Sequence, residues 1–290
     1  MGKKYKFAGI EFEILIPEEF DLKNEGCLRS FRTEYVTAPH QFYFNVVEEV
    51  DAPVGQMVVR SPGNLIYQSE QGFIRYGCVV ETGWRKAYYR VESRGRKHFV
   101  QVRRSECGGK IGSKTILNVL GAERLLLEKN GIILHSAFIK YEGKGILFTA
   151  PSGTGKSTQA DLWMKLRGTE IVNGDRAAVR LANGQIIAEG IPFAGSSKYC
   201  KNRSLPIVAI VYLDQAPKTS IERLRGYRAF AKIWEGVSVN SWDKEDVEKV
   251  SAIVQEIATQ VPVYYLSCTP DESAVIALEN ALQEMEEVSS

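Results

Sequence analysis

The run Ala150-Pro151-Ser152-Gly153-Thr154-Gly155-Lys156-Ser157 constrains this chain more than any other. It fits the spacing G-x-x-x-x-G-K-[ST] except that alanine stands for the first glycine, and a small residue is what the turn needs there. Glycines at such a turn let backbone N–H groups converge into an anion nest, and a helix starting near Ser157 points its positive end into it. The context agrees. The apolar run of residues 145–149 leads in, and Thr158, Ala160, Leu162, Trp163 and Leu166 read as an amphipathic helix leading out. A strand, glycine turn and helix in this order predict a nucleoside triphosphate site. Ser152, Gly153, Thr154, Gly155, Lys156, Ser157 and Thr158 would surround the phosphates, with Lys156 on the β- and γ-oxygens and Ser157 on magnesium.

The remaining sequence falls into two regimes. Residues 5 to about 110 read as β-rich: residues 5–16 alternate, and residues 41–47, 56–59, 72–80 and 98–102 are aromatic or β-branched. Ala52-Pro53, Ser61-Pro62-Gly63-Asn64 and Gly95 punctuate them. A helical period takes over across residues 115–129, with Ser113 as the expected cap and Asn130-Gly131 as the stop. This places a domain join there, with a β-rich domain over residues 1–113 and a P-loop domain over 114–290. In the second, strands are expected at residues 132–141, 145–149, 170–172, 177–181, 185–188, 207–213 and 261–266, and helices at 157–166, 244–260 and 271–285. Continuous apolar strands beside helices mean a sheet covered on both faces, so the class is α/β, and α+β for the whole chain.

Charge bounds the partners only coarsely. A net charge of +2 over 290 residues creates no global field that calls for nucleic acid or a membrane. Locally, nine Lys/Arg face two acids between Trp84 and Lys110, and eleven acids face two lysines from Asp243 onward. The basic stretch reads either as a solvated sheet face or as a surface for an acidic peptide or phosphates. Five scattered cysteines, odd in number and without a C-x-x-C pair, argue against both a disulfide framework and a zinc site and favour a reducing compartment. No run approaches ~18 apolar residues. A cytoplasmic location is expected.

Phosphoryl transfer at a P-loop needs a carboxylate, to hold magnesium or to take the proton of the attacking hydroxyl. Asp214 ends the apolar strand 207–213 as a Walker-B acid does. Asp175 follows Glu170-Ile171-Val172-Asn173-Gly174, the first strand after the loop helix. Either is equally a turn aspartate on spacing alone. His135 is either a core histidine bonded to backbone or part of the site.

His135, the run Gly143-Lys144-Gly145-Ile146-Leu147-Phe148, residues 150–158 and residues 171–175 together resemble the catalytic domain of HPr serine kinase/phosphorylase. They also resemble its relatives with the phosphoenolpyruvate-carboxykinase type of P-loop fold. Gly190-Ile191-Pro192-Phe193-Ala194-Gly195, Arg203 and the strand from Ile207 are similar to the same group. The likeness is greatest to HPr-kinase-like proteins with their own β-rich N-terminal part, some of which accompany peptide-modification gene clusters. It covers about residues 114–290.

The resemblance implies a mixed central sheet and Mg-ATP-dependent transfer of the γ-phosphoryl group to a hydroxyl, most naturally Ser/Thr of a peptide or small protein. It makes Asp175 the base, puts His135 and Lys156 at the reacting phosphate, and gives magnesium the ligands Ser157, Asp175 and Glu189. The β-rich part is then an acceptor-recruiting module, with no nucleic acid or membrane among the partners. One position departs: the family's Asp-Asp pair reads Gly174-Asp175 here. That keeps open a nucleotide-binding regulatory or scaffold protein without turnover, beside a small-molecule kinase acting on free serine. The phosphorylase signature is not found. Arg203, Arg225 and Arg228 are either clamps for transition-state charge or surface arginines.

Overall fold

The computed structural model describes residues 2–18, 20, 22, 25–61, 63–70, 72–81, 84–107 and 111–289. Pro62, Lys110 and the side chain of Arg85, which figure in the expectations above, lie outside the described residues. The chain divides into two compact units, Met1–Ala122 and Glu123–Ser290.

In the first unit, residues 5–16 form a hairpin rather than one strand. β1 (Lys3–Phe7) and β2 (Ile10–Leu15) pair antiparallel around Ala8 and Gly9, whose φ values are 45° and 74°. The spacing contained the reason: the step from Phe7 to Ile10 is three positions, an odd number, and a straight strand cannot keep both on one face. β3 (His40–Val47), β4 (Gln56–Arg60), β5 (Asn64–Ser69), β6 (Gly72–Glu81), β7 (Trp84–Arg94) and β8 (Lys97–Arg103) complete an eight-stranded sheet. Its order is β1-β2-β3-β8-β7-β6-β5-β4, parallel at β2–β3 and β3–β8 and otherwise antiparallel.

The basic stretch runs along β7, β8 and the short helix α1 (Arg104–Cys107), and many of its cations meet carboxylates. Arg90 and Arg94 share Glu92, Arg103 meets Glu106, Arg104 meets Glu48 and Lys86 meets Glu49. The helix expected over 115–129 is two helices, α2 (Ser113–Leu120) and α3 (Ala122–Leu127), because Gly121 turns left-handed at φ 62°. Ser113 is the first helical residue and Gly112 the cap position, so the expected serine cap is not made.

The second unit is built around β9 (Gly131–Tyr141). It pairs antiparallel with β10 (Lys144–Thr149), with β11 (Glu170–Asn173) and with β12 (Arg176–Ala182). β13 (Gln185–Gly190) links β12 to β14 (Ser204–Gln215), and β14 runs parallel to both β10 and β17 (Val263–Cys268). β15 (Ser220–Leu224) adds an antiparallel edge to β17, and the two-residue β16 (Val237–Ser238) pairs with β9. The result is a mixed nine-stranded sheet.

Both faces of this sheet are covered. α4 (Lys156–Arg167) and α7 (Glu272–Ser289) lay Trp163, Val275 and Leu278 on Ile139, Phe148, Val211 and Leu266. On the opposite face α5 (Gly226–Trp234) and α6 (Lys244–Gln260) lay Ile233, Val250, Val254 and Ile257 on Leu134, Leu147, Ile210 and Val263. Trp163 is fully buried and edge-on to Tyr141 at 5.0 Å, and burying a ring of that size is worth ~3 kcal/mol. That contact fixes α4 against the sheet, and with it the turn that precedes α4. Among the described residues no helix is long and apolar enough to cross a membrane.

Candidate functional site

β10 ends at Thr149 and α4 begins at Lys156, so the glycine turn lies between strand tip and helix head. Gly153 and Gly155 sit at φ 83° and 113°, where a Cβ would strain the backbone, and nothing lies within 4 Å of either Cβ position. α4 has neither a side-chain cap nor an acidic residue in its first turn. Its leading N–H groups therefore keep their positive field. Ala150, where the loop signature has glycine, is 4% exposed and packs into the core beneath α4, a place that accepts a methyl group.

Lys156 is 7% exposed, and its Nζ donates to the carbonyls of Ala150 (2.8 Å) and Pro151 (3.0 Å). Burial holds its pKa below the ordinary lysine value, against the opposing pull of Asp175. A buried ammonium whose hydrogen bonds go to neutral carbonyls favours an incoming anion.

Asp175 occupies the turn between β11 and β12, and His135 lies on β9 opposite Arg176 in the antiparallel register. His135 Nε2 is 3.3 Å from Asp175 Oδ1, and Arg176 Nε is 3.3 Å from Asp175 Oδ2. The fully buried Asn173 shapes this turn. Its Oδ1 accepts from the N–H groups of Asp175 (3.0 Å) and Arg176 (3.1 Å), and its Nδ2 donates to Ile191 O (2.7 Å). Thr149 Oγ1 donates to His135 O (3.0 Å), which ties the histidine strand to the foot of the glycine turn. Burial pushes the His135 pKa down and the Lys156 charge lowers it further, against Asp175. His135 is thus half-exposed beside a carboxylate rather than a core histidine, and Lys156, His135 and Asp175 lie within one another's electrostatic reach.

Other expected residues are placed differently. Glu189, expected at a metal, is buried on β13 with its carboxylate bound by the Arg180 guanidinium. Among the described residues no group of three or more His, Cys, Asp or Glu side chains is gathered to hold a metal ion. Ser157 and Thr158 are exposed on the first turn of α4, and Ser152 is exposed in the loop. Asp214 is the penultimate residue of β14 and accepts from Tyr265 OH at 2.6 Å. Arg228 is bound by Glu222, Arg203 stands 3.7 Å from Glu170, and Arg225 is the exposed residue before α5.

Residues 116–275, more than half of the chain, match the family described as SynChlorMet cassette protein ScmC. The chain belongs to the ScmC family. No curated protein matches it. Among solved structures it is similar to one described as the Hpr(Ser) kinase/phosphatase from Coxiella burnetii, at 13% identity and a TM-score of 0.35. That alignment covers 54% of this chain and 94% of the other, and the likeness is too distant to transfer a residue role or an activity.

In this ScmC-family chain the position before Asp175 is closed to a side chain. A Cβ on Gly174 would lie 2.1 Å from Ser197 Oγ, so the loop after β13 fills that space. The same loop brings Gly195, at φ 56°, so close to Asp175 that a Cβ there would lie 2.6 Å from the carboxyl carbon. Gly195 and Ser197 lie some twenty residues from Asp175 in sequence and reach it only in the folded sheet, whereas Asn173, two residues before it, acts through a local side-chain turn. A cavity of about 550 Å³ opens on the turn as well, lined by Gly153, Thr154, Gly155, Thr158 and Gln159 among others.

Proposed function

We propose that the chain is an ATP-dependent kinase that transfers the γ-phosphoryl group to a hydroxyl, the acceptor being a serine or threonine of a peptide or small protein. The observation that carries this reading is Lys156: a buried cation that, among the described residues, has no hydrogen-bonded carboxylate, at an uncapped helix head, in the same field as the Asp175 carboxylate beside His135. The glycine turn fits an oligophosphate, since open space lies where Gly153 and Gly155 lack side chains.

In this reading Lys156 exchanges its carbonyl partners for phosphate oxygens, and the first N–H groups of α4 orient the chain of phosphates. Ser157 and Asp175 would hold magnesium, which would supply neutralisation of the charge on the transferring group. The acceptor oxygen bonds to the γ-phosphorus as the bond to the ADP oxygen breaks, and the acceptor proton passes to the Asp175 carboxylate. His135, donating from Nε2 to Oδ1, and Arg176, beside Oδ2, fix that carboxylate while leaving it further lone pairs. Positioning and electrostatics supply most of such catalysis.

Gly174 favours a second reading, nucleotide binding without turnover, because Ser197 fills the space a side chain there would need. Calorimetry with Mg-ATP and a phosphoryl-transfer assay over peptide acceptors and free serine decide between them. Lys156→Ala is expected to lose nucleotide affinity. Asp175→Asn is expected to keep it while transfer falls by roughly 10²–10⁴-fold. Equal transfer by Asp175→Asn and wild type removes the base assignment, and tight ATP binding with no transfer in wild type selects the second reading.

A further inference from the structure

β10, which feeds the glycine turn, has unlike neighbours on its two sides. On one side β9 carries His135 and, through β12, meets the Asp175 turn. On the other side β14 and then β17 end at Gln215 and Cys268, and the 550 Å³ cavity lies between those strand ends and the head of α4. Leu213, Ala216, Pro217 and Pro270 give it apolar walls, and Gln159 and Cys268 also line it. Its size falls within the range of small-molecule sites.

Gln159 is the informative residue. It sits in the first turn of α4, is 3% exposed, and donates from Nε2 to Cys268 Sγ at 3.4 Å, while its Oε1 has no hydrogen-bond partner among the described residues. A buried amide oxygen without a donor is unfavourable, and native structures rarely leave one so. This residue lines the cavity, one helical turn from the residues that face the phosphates.

We infer that the cavity is the nucleobase site of the bound triphosphate, with Gln159 Oε1 accepting a hydrogen bond from the exocyclic amino group of adenine. The inference rests on the reading that the glycine turn binds the phosphates, and deepens it by giving the nucleotide a direction. The base lies on the β14–β17 side, and the γ-phosphate points to the β9 side, at His135 and Asp175. Hypoxanthine, which has a keto oxygen where adenine has its amino group, sets oxygen against oxygen at Gln159 and binds less well.

The full chain is titrated calorimetrically with the magnesium salts of ATP, ITP and inorganic tripolyphosphate. In parallel Cys268 is alkylated with iodoacetamide at mildly alkaline pH, with and without each ligand, and read by peptide mass spectrometry. ATP is expected to bind about tenfold more tightly than ITP and to protect Cys268, whereas tripolyphosphate binds and leaves Cys268 reactive. Gln159→Leu, checked for folding by circular dichroism, is expected to lose the preference for ATP over ITP and keep tripolyphosphate affinity. The protection arm uses only the wild type, so a misfolded variant does not rescue the inference. Binding of ATP and tripolyphosphate with equal affinity and no protection overturns the base site while the phosphate reading stands. A Cys268 that never reacts means a cavity closed to small molecules and overturns it too. Failure of both ATP and tripolyphosphate to bind removes the phosphate reading itself.

Discussion

Arg90 in the first unit and Lys156 in the second are buried to the same degree, 8% and 7% exposed, yet their surroundings differ in kind. Arg90 donates to Glu92 at 2.6 Å and to Tyr76 OH at 3.1 Å, so its charge is met by a carboxylate inside the sheet. Among the described residues, Lys156 donates only to two backbone carbonyls. Their pKa values move oppositely: burial would lower both, but Glu92 and Tyr76 carry Arg90 above its ordinary value, whereas Lys156 stays below. The first cation is part of the scaffold. The second is a buried charge that meets no hydrogen-bonded carboxylate among the described residues.

The largest effect that separates the two is on stability. Removing the charge of Glu92 leaves Arg90 buried with its carboxylate partner gone, which costs about 3 kcal/mol. Urea unfolding of Glu92→Gln is the measurement. A loss under about 1 kcal/mol would mean that water already screens the pair, and the contrast with Lys156 would lose its footing.

The two cations were also unequally legible in the sequence. Lys156 was readable because its partners are local: loop, strand and helix lie within residues 145–167, and each carries its own signal. Arg90 is one of nine cations in a basic stretch, and nothing in the spacing tells which of them the sheet will bury. Asp175 and Asp214 both end strands and were equivalent by that rule. The sheet order separates them, placing Asp175 against His135 on the β9 side and Asp214 against Tyr265 on the β17 side. The second unit's long strands were legible as apolar runs because both faces are buried. β15 and α5 were not. In α5 the buried Ala229 and Ile233 keep helical spacing over only nine residues, and the cap position holds Arg225, which gives no start signal.

Histidine repeats the contrast at smaller magnitude. His98 in the first unit is stacked on Phe42 at 4.2 Å, with His40 Nδ1 3.0 Å from its Nε2 and Ser93 Oγ 2.8 Å from its Nδ1. Burial, then the charges of His40 and Arg75, push its pKa down to about 3. Its folded pKa lies below the unfolded value, so the fold keeps it neutral. The stability this gives is complete above about pH 6.5 and is lost as pH falls toward 3. Urea midpoints at pH 7.5 and pH 5 are expected to differ by about 2 kcal/mol from this group, and His98→Asn to flatten that dependence. An unchanged slope in the variant assigns the acid sensitivity elsewhere.

The smallest effect is the most discriminating, because its sign is at issue. Lys156→Met removes a buried charge and two hydrogen bonds to carbonyls while keeping the side chain's length and apolar stem. The desolvation of the ammonium disappears with the charge, and no carboxylate loses a hydrogen-bonded partner. Stability without nucleotide is therefore expected to stay level or rise by up to about 1 kcal/mol, the reverse of Glu92→Gln. Mg-ATP is expected to raise the thermal midpoint of the wild type and not of this variant, since only a state that binds ligand is stabilised by it. If Lys156→Met instead lowers stability as much as Glu92→Gln does, the lysine is a structural cation like Arg90. The electrostatic case for an anion at the head of α4 then fails, whatever the glycines beside it permit.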